Sequence, residues 1–203
     1  PTKGTAAHSF TLAHDSEEEA FAAQIRTMGS GTTLLIDTFD MVQGVERAIA
    51  IGGTDLGAVR IDSGDLPVVV SQVREHLDRL GATNTKIVVT NDLNEHTIAG
   101  LRGAPVDVFG VGTSVVTGSG HPAAGLVYKL VARTDDEGAW VPVAKKSSNK
   151  AHHPGAKRAH RVLESGVATA ETLVLGDAPA PPHSRALSHE LMVEGSSIDN
   201  ALQ

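Results

Sequence analysis

The chain of 203 residues contains no cysteine, which excludes a disulfide framework and any thiolate zinc site. A reducing, cytoplasmic setting agrees with that absence and is the expected localisation. Positive charge is in deficit: 17 Lys and Arg against 24 Asp and Glu leave a net charge of −7, which argues against a nucleic-acid partner. Long apolar runs are missing too, and none approaches the ~20 residues a membrane-spanning helix needs. No signal peptide opens the sequence, and no initiator Met precedes Pro1-Thr2-Lys3-Gly4, so the start reads as a truncation. Aromatic residues make up only 3 %, while glycine reaches 21 residues; small residues at many tight turns suit an α/β protein.

Five short segments read as strands, namely residues 4–10, 32–38, 57–62, 86–91 and 106–113. Between them lie segments of helical spacing at 16–28, 40–51, 66–80 and 94–101. Ser16 followed by Glu17, Glu18 and Glu19 is a strong helix start, because the hydroxyl caps and the acids favour the positive end of the dipole. Strand then helix, repeated at about 25–30 residues, is the pattern of parallel βα units. Each strand delivers polar or glycine-rich residues at its C-terminal end: His8, Asp37, Asp62, Asn91-Asp92, and Gly110 to Thr113. In a barrel such ends converge on one mouth, whereas an open sheet spreads them along an edge. Five equipped ends favour the barrel, so residues 1–118 are expected to be part of an α/β barrel catalytic domain. Residues 119–203 are expected to form a β-rich and irregular region packed on it, beginning with a hairpin around Asp135-Asp136-Glu137-Gly138.

Arg60-Ile61-Asp62-Ser63-Gly64-Asp65-Leu66 places an Arg and two Asp where a buried strand meets a helix. Burying such charge is costly without a ligand or partner. An Arg fork grips a carboxylate through two hydrogen bonds, and Asp62 and Asp65 suit sugar hydroxyls or a hydrated divalent cation. A purely structural reading stands beside this one, with Asp65 capping the helix and Arg60 paired to Asp62. Gly110-Val111-Gly112-Thr113-Ser114 offers backbone N–H groups and hydroxyls to a phosphate, or is simply a tight turn. His8 suits a nucleophile, an acid/base group or a phosphate donor, or else packs in the barrel rim. Asn91 and Asp92 are ligand-capable or helix-capping. His152-His153 lacks metal-ligand spacing, and no protein metal ligand is expected. The stretch 145–161 holds six Lys or Arg and no acid, leaving −13 on the remainder; it reads as a basic, solvated segment that could reach toward phosphates or an acidic subunit.

The order and spacing of these motifs resemble the nicotinate phosphoribosyltransferases. The resemblance runs from Gly4-Thr-Ala-Ala-His8-Ser through Leu35-Ile-Asp37-Thr-Phe, Val59-Arg60-Ile-Asp62-Ser-Gly-Asp65-Leu, Val89-Thr-Asn91-Asp92 and Phe109-Gly110-Val-Gly112-Thr113-Ser. It continues through Gly125-Leu-Val-Tyr128-Lys129 and Pro154-Gly155-Ala-Lys157 to Arg161. It implies the type II phosphoribosyltransferase fold, an irregular α/β barrel (incomplete here) with a separate sandwich-like domain, working as a homodimer. The implied reaction is ATP-coupled transfer of phosphoribosyl from phosphoribosyl pyrophosphate to nicotinate, with Mg²⁺ as cofactor and ATP as cosubstrate. By resemblance, His8 is the histidine that ATP phosphorylates, Arg60 grips the nicotinate carboxylate, and Asp62 lies beside the ribose. Ser63 and Asp65 join the substrate loop, Asn91 and Asp92 approach sugar and phosphate, and Gly110, Gly112 and Thr113 hold the 5′-phosphate.

The N-terminal strands and base-stacking aromatics of the family are missing, and in the family a partner subunit completes the site. This chain alone is therefore a candidate for inactivity. A quinolinate or nicotinamide phosphoribosyltransferase of the same fold, or a non-catalytic remnant, are the competing expectations. Quinolinate would need further cations and nicotinamide no carboxylate-gripping Arg.

Overall fold

The computed structural model describes residues 5–118, 126–146, 152–188 and 191–197. The expected strand at 4–10 is not formed over its described part; instead a short helix, α1 (His8–Leu12), begins at the histidine. A short segment that mixes small, polar and one aromatic residue carries no period that separates strand from helix, and here the backbone turns after Ala7. The βα pattern then follows the sequence closely: α2 (Glu17–Met28), β1 (Thr33–Leu35), α3 (Met41–Gly52), β2 (Ala58–Ile61), α4 (Leu66–Arg79), β3 (Lys86–Val89), α5 (Glu95–Gly100), β4 (Val108–Phe109) and α6 (Thr113–Thr117).

Helix starts obey their caps. Ser16 accepts from the Glu19 N–H at 3.1 Å, Asp40 from Gln43 at 2.9 Å, and Asn94 with Thr97 forms a capping box. Asn94 thus caps α5, the role that Asn91 or Asp92 had been open to fill. Asp65 occupies the N-cap position of α4 without a side-chain capping bond.

The four strands pair in parallel in the order β1-β2-β3-β4. Sequential order without reversal is that of a barrel segment, not of a doubly wound sheet. The core lies between sheet and helices: Leu34, Ile36, Val59, Ile61, Ile87 and Val89 from the strand segments meet Val45, Ala48 and Ile49 of α3 and Val70, Val73 and Leu77 of α4. Helix α4 turns Val70 inward and leaves Val69 half-buried. Gly44 lets α3 approach this layer, since a Cβ there would stand 2.2 Å from the Ile36 carbonyl oxygen.

The chain divides into two compact units, Pro1–Arg133 with Val143–His153 and Thr134–Pro142 with Pro154–Gln203. Strands β5 (Ala132–Thr134) and β6 (Trp140–Pro142) flank the expected turn at Asp135 to Gly138, whose Gly138 N–H bonds the Asp135 carbonyl at 3.1 Å. In the second unit, β7 (Lys157–Glu164), β8 (Val167–Leu175) and β9 (Ser184–Ala186) form an antiparallel sheet in the order β8-β7-β9. β10 (Met192–Val193) and β11 (Ser196–Ser197) pair separately. The long β7–β8 hairpin was not anticipated, although Ser165-Gly166 marks it: both residues have positive φ, 49° and 80°, as a two-residue hairpin loop requires. Among the described residues no helix is long and apolar enough to cross a membrane.

Candidate active site

Three strand ends and α1 bring polar side chains together in the first unit. Asp37, two residues beyond β1, is fully buried. Its Oδ2 accepts the Asp62 N–H at 2.9 Å and the Ser63 hydroxyl, while Oδ1 has no hydrogen-bond partner. Asp37 therefore ties the end of β1 to the loop after β2. Asp62 in turn accepts from the Thr90 hydroxyl at 3.1 Å, joining that loop to the end of β3. Thr90 also accepts from Arg60 Nε at 2.8 Å, and Arg60 Nη1 donates to Thr5 Oγ1 and to the Ala6 carbonyl at 3.3 Å. These bonds set the plane of the guanidinium; among the described residues Nη2 has no hydrogen-bond partner.

His8, the first residue of α1, faces the carboxylates. Its Nε2 lies 3.4 Å from Asp62 Oδ2 and 3.9 Å from Asp37 Oδ1, and its Nδ1 is 3.0 Å from Thr38 Oγ1. Lys145 Nζ approaches Nε2 at 2.6 Å. This lysine, 4 % exposed, comes from the basic stretch read as solvated in the sequence. The adjacent Lys146 N–H bonds the Thr38 carbonyl at 3.0 Å, so backbone pairing delivers the lysine to the histidine.

His8, Arg60, Asp62 and Ser63 are thus joined in one hydrogen-bonded and ionic network. Asp65 stands exposed at the start of α4. Asn91 is half-buried, and Asp92 is exposed with a φ of 39°, both in the loop after β3. Gly110 sits beside that loop's base, its N–H bonding the Val89 carbonyl at 2.8 Å, and Gly112 and Thr113 are exposed at the start of α6. Gly4, Lys3, Gly125 and Lys150 lie outside the described residues. Sequence reasoning counted Asp37 among the polar strand ends and Lys145 only as part of a basic stretch, and it gave no role to Thr38 or Thr90. Asp37 was signalled by its place as a charge closing the apolar run Leu34-Leu35-Ile36.

A cavity of about 790 Å³ opens between the first turns of α2, α3 and α4, with Asp37 and Ser63 in its wall and Glu17, Arg47 and Lys146 around it. That volume is in the usual range for a small-molecule site. Glu17 is 2 % exposed, and its Oε2 receives Arg47 at 3.0 Å while Oε1 has no partner. Burial pushes the Glu17 carboxyl above its ordinary pKa against the lowering by Arg47, and the same bond raises Arg47.

No protein-family model matches the chain. It is 49 % identical, over 98 % of its length, to a nicotinate phosphoribosyltransferase of Mycobacterium tuberculosis, of which it covers 46 %. The nicotinate phosphoribosyltransferase of Bacillus subtilis is 38 % identical over 80 % of this chain and 35 % of that protein. Among solved structures, nicotinate phosphoribosyltransferase from Porphyromonas gingivalis aligns with a TM-score of 0.63 at 19 % identity, over 75 % of this chain and 44 % of that one. The chain spans less than half the length of the curated relatives it matches.

Proposed function

The chain belongs to the nicotinate phosphoribosyltransferase family, with the type II phosphoribosyltransferase fold, and on that premise we propose the activity of the whole protein. It transfers phosphoribosyl from phosphoribosyl pyrophosphate to nicotinate, coupled to ATP, giving nicotinate mononucleotide and pyrophosphate in NAD salvage. The observation that carries this reading is the continuous chain of contacts Arg60–Thr90–Asp62–His8 across neighbouring strand ends. In this reading Arg60 is the carboxylate-gripping fork, Asp62 the ribose-facing carboxylate and His8 the phosphoryl-accepting imidazole.

Arg60 Nη2 takes part in gripping the nicotinate carboxylate, with Thr90 and Thr5 holding the fork in plane. Asp62 stabilises the positive charge that develops on the ribosyl carbon as pyrophosphate leaves. Ser63 and Asp65 line the donor's path at the cavity wall. Asn91 and Asp92 meet sugar and phosphate, and Gly110, Gly112 and Thr113 receive the 5′-phosphate. His8 accepts a phosphoryl group from ATP.

Among the described residues no cluster of three or more ligating side chains is suited to a metal ion on its own. Mg²⁺ needs only one or two carboxylates beside substrate phosphates, and the buried Oδ1 of Asp37, which has no hydrogen-bond partner, together with Asp62 fits that demand. When bound, it neutralises the pyrophosphate leaving group. The complete enzyme works in the cytoplasm as a homodimer.

The test is nicotinate-dependent nucleotide formation from phosphoribosyl pyrophosphate, with and without ATP, using the protein extended to the length of its relatives. Product with nicotinate, stimulated by ATP, and a KM for nicotinate raised at least tenfold in Arg60→Ala support the reading. Preference for quinolinate or nicotinamide, or binding without turnover in a folded protein, overturns it.

A further inference from the structure

We propose that Lys145 selects Nε2 of His8 as the phosphoryl-accepting nitrogen and then holds the phosphoryl group that arrives there. The inference rests on the ATP-coupled reading above. Lys145 is almost completely buried, and an ammonium is expensive to bury unless anions are near. Its position is built: the Lys146 N–H to Thr38 carbonyl bond fixes the segment beside the loop that also holds the imidazole.

The hydrogen-bond directions follow from donor chemistry. An ammonium has three donors and no acceptor, so at 2.6 Å Lys145 donates and Nε2 accepts. The ring proton then sits on Nδ1 and is donated to Thr38 Oγ1, 3.0 Å away. The same nitrogen lies 3.4 Å from Asp62 and 3.9 Å from Asp37. Without Lys145 this donor no longer faces Nε2, and the tautomer that carries its proton there, which blocks the nitrogen as a nucleophile, is no longer disfavoured by it.

In the transfer, the Nε2 lone pair forms the N–P bond while the bond from γ-phosphorus to the β,γ-bridging oxygen breaks. ADP leaves with that electron pair. The proton remains on Nδ1, and the resulting ring charge is offset by Asp62 and Asp37. The ammonium, no longer bonded to Nε2, moves its donors onto the phosphoryl oxygens, where a fixed cation in a dry site counts most.

The experiment uses the full-length protein and the variants Lys145→Met and Lys145→Arg. Phosphoryl incorporation from γ-labelled ATP is measured alongside ¹⁵N NMR of the His8 ring. In the wild type, label is expected on Nε2 and the resting ring is expected protonated at Nδ1. Lys145→Met should lower the rate of labelling on the order of 100-fold and move the resting proton to Nε2. Lys145→Arg, which keeps the cation, should restore part of the labelling. Equal labelling of wild type and Lys145→Met, label on Nδ1, or a wild-type ring protonated at Nε2 would each overturn the proposal. An unlabelled wild type overturns the ATP-coupled reading and the phosphoryl-holding role with it, while the ring protonation still decides the tautomer-selecting role.

Discussion

The parallel βα unit and the antiparallel unit that follows it are stabilised in different ways. The first carries a continuous apolar core, with Leu34, Ile36, Val59, Ile61, Leu77, Ile87 and Val89 at or near zero exposure. In the second, Val174 is the one buried hydrophobic side chain among the described residues, and Val167, Leu173 and Leu175 of β8 are more than half exposed. What orders that unit is the ladder itself: β7 and β8 stay paired from Lys157↔Leu175 to Glu164↔Val167, with one irregularity between Val162 and Leu163. A parallel sheet must be covered on both faces and so brings its core with it, whereas an antiparallel hairpin can exist with open faces. The candidate site accordingly lies at the strand ends of the unit with the buried core.

Leu34→Ala, the heaviest test of this contrast, removes a fully buried strand residue and should lower the unfolding free energy by about 2–5 kcal/mol in urea titrations. A loss below 1 kcal/mol would mean that the parallel unit does not depend on that core. Gly44→Ala should cost about 1–3 kcal/mol, because its Cβ meets a backbone carbonyl and α3 must shift. If melting is unchanged, the close approach of α3 is not required.

A smaller effect concerns Glu17. Its folded-state pKa is raised above the ordinary 4.5, mainly by burial, so the folded state binds the proton more tightly than the unfolded one. That contribution is fully present below pH 4.5 and is lost as pH rises through the raised value. Glu17→Gln should flatten the fall in stability over this window, and an unaltered slope would assign it to other groups. Leu173→Ala, on the exposed face of β8, should change stability by less than about 0.5 kcal/mol; a larger loss would show that this face is covered in solution.

Much of the first unit was legible before any coordinates. The Ser16 cap, the helical segments between the strands and the four βα repeats all rest on residues within one or two turns of each other, where local spacing decides. Residues 4–10 were misread because so short a mixed segment carries no decisive period, and α1 begins there instead. The β7–β8 hairpin escaped because the basic stretch drew the reading toward a solvated segment, although Ser165-Gly166 was a usable signal. In the site, Arg60, Asp62 and His8 stood out as polar groups in small or apolar surroundings. Thr90 looked like one more strand-end hydroxyl, and its double role toward Arg60 and Asp62 depends on the register of β2 with β3.

The sequence by itself determined the repeating strand–helix order, the helix starts and the family resemblance, because each is carried by neighbouring residues or by motif order along the chain. Only the tertiary structure decided that Asp37 would orient Asp62 and Ser63, and that Lys145 would meet His8 across 137 positions. Those contacts depend on which strand ends lie side by side and on which charges are carried out of water together. Burial sets that, and local spacing does not encode it.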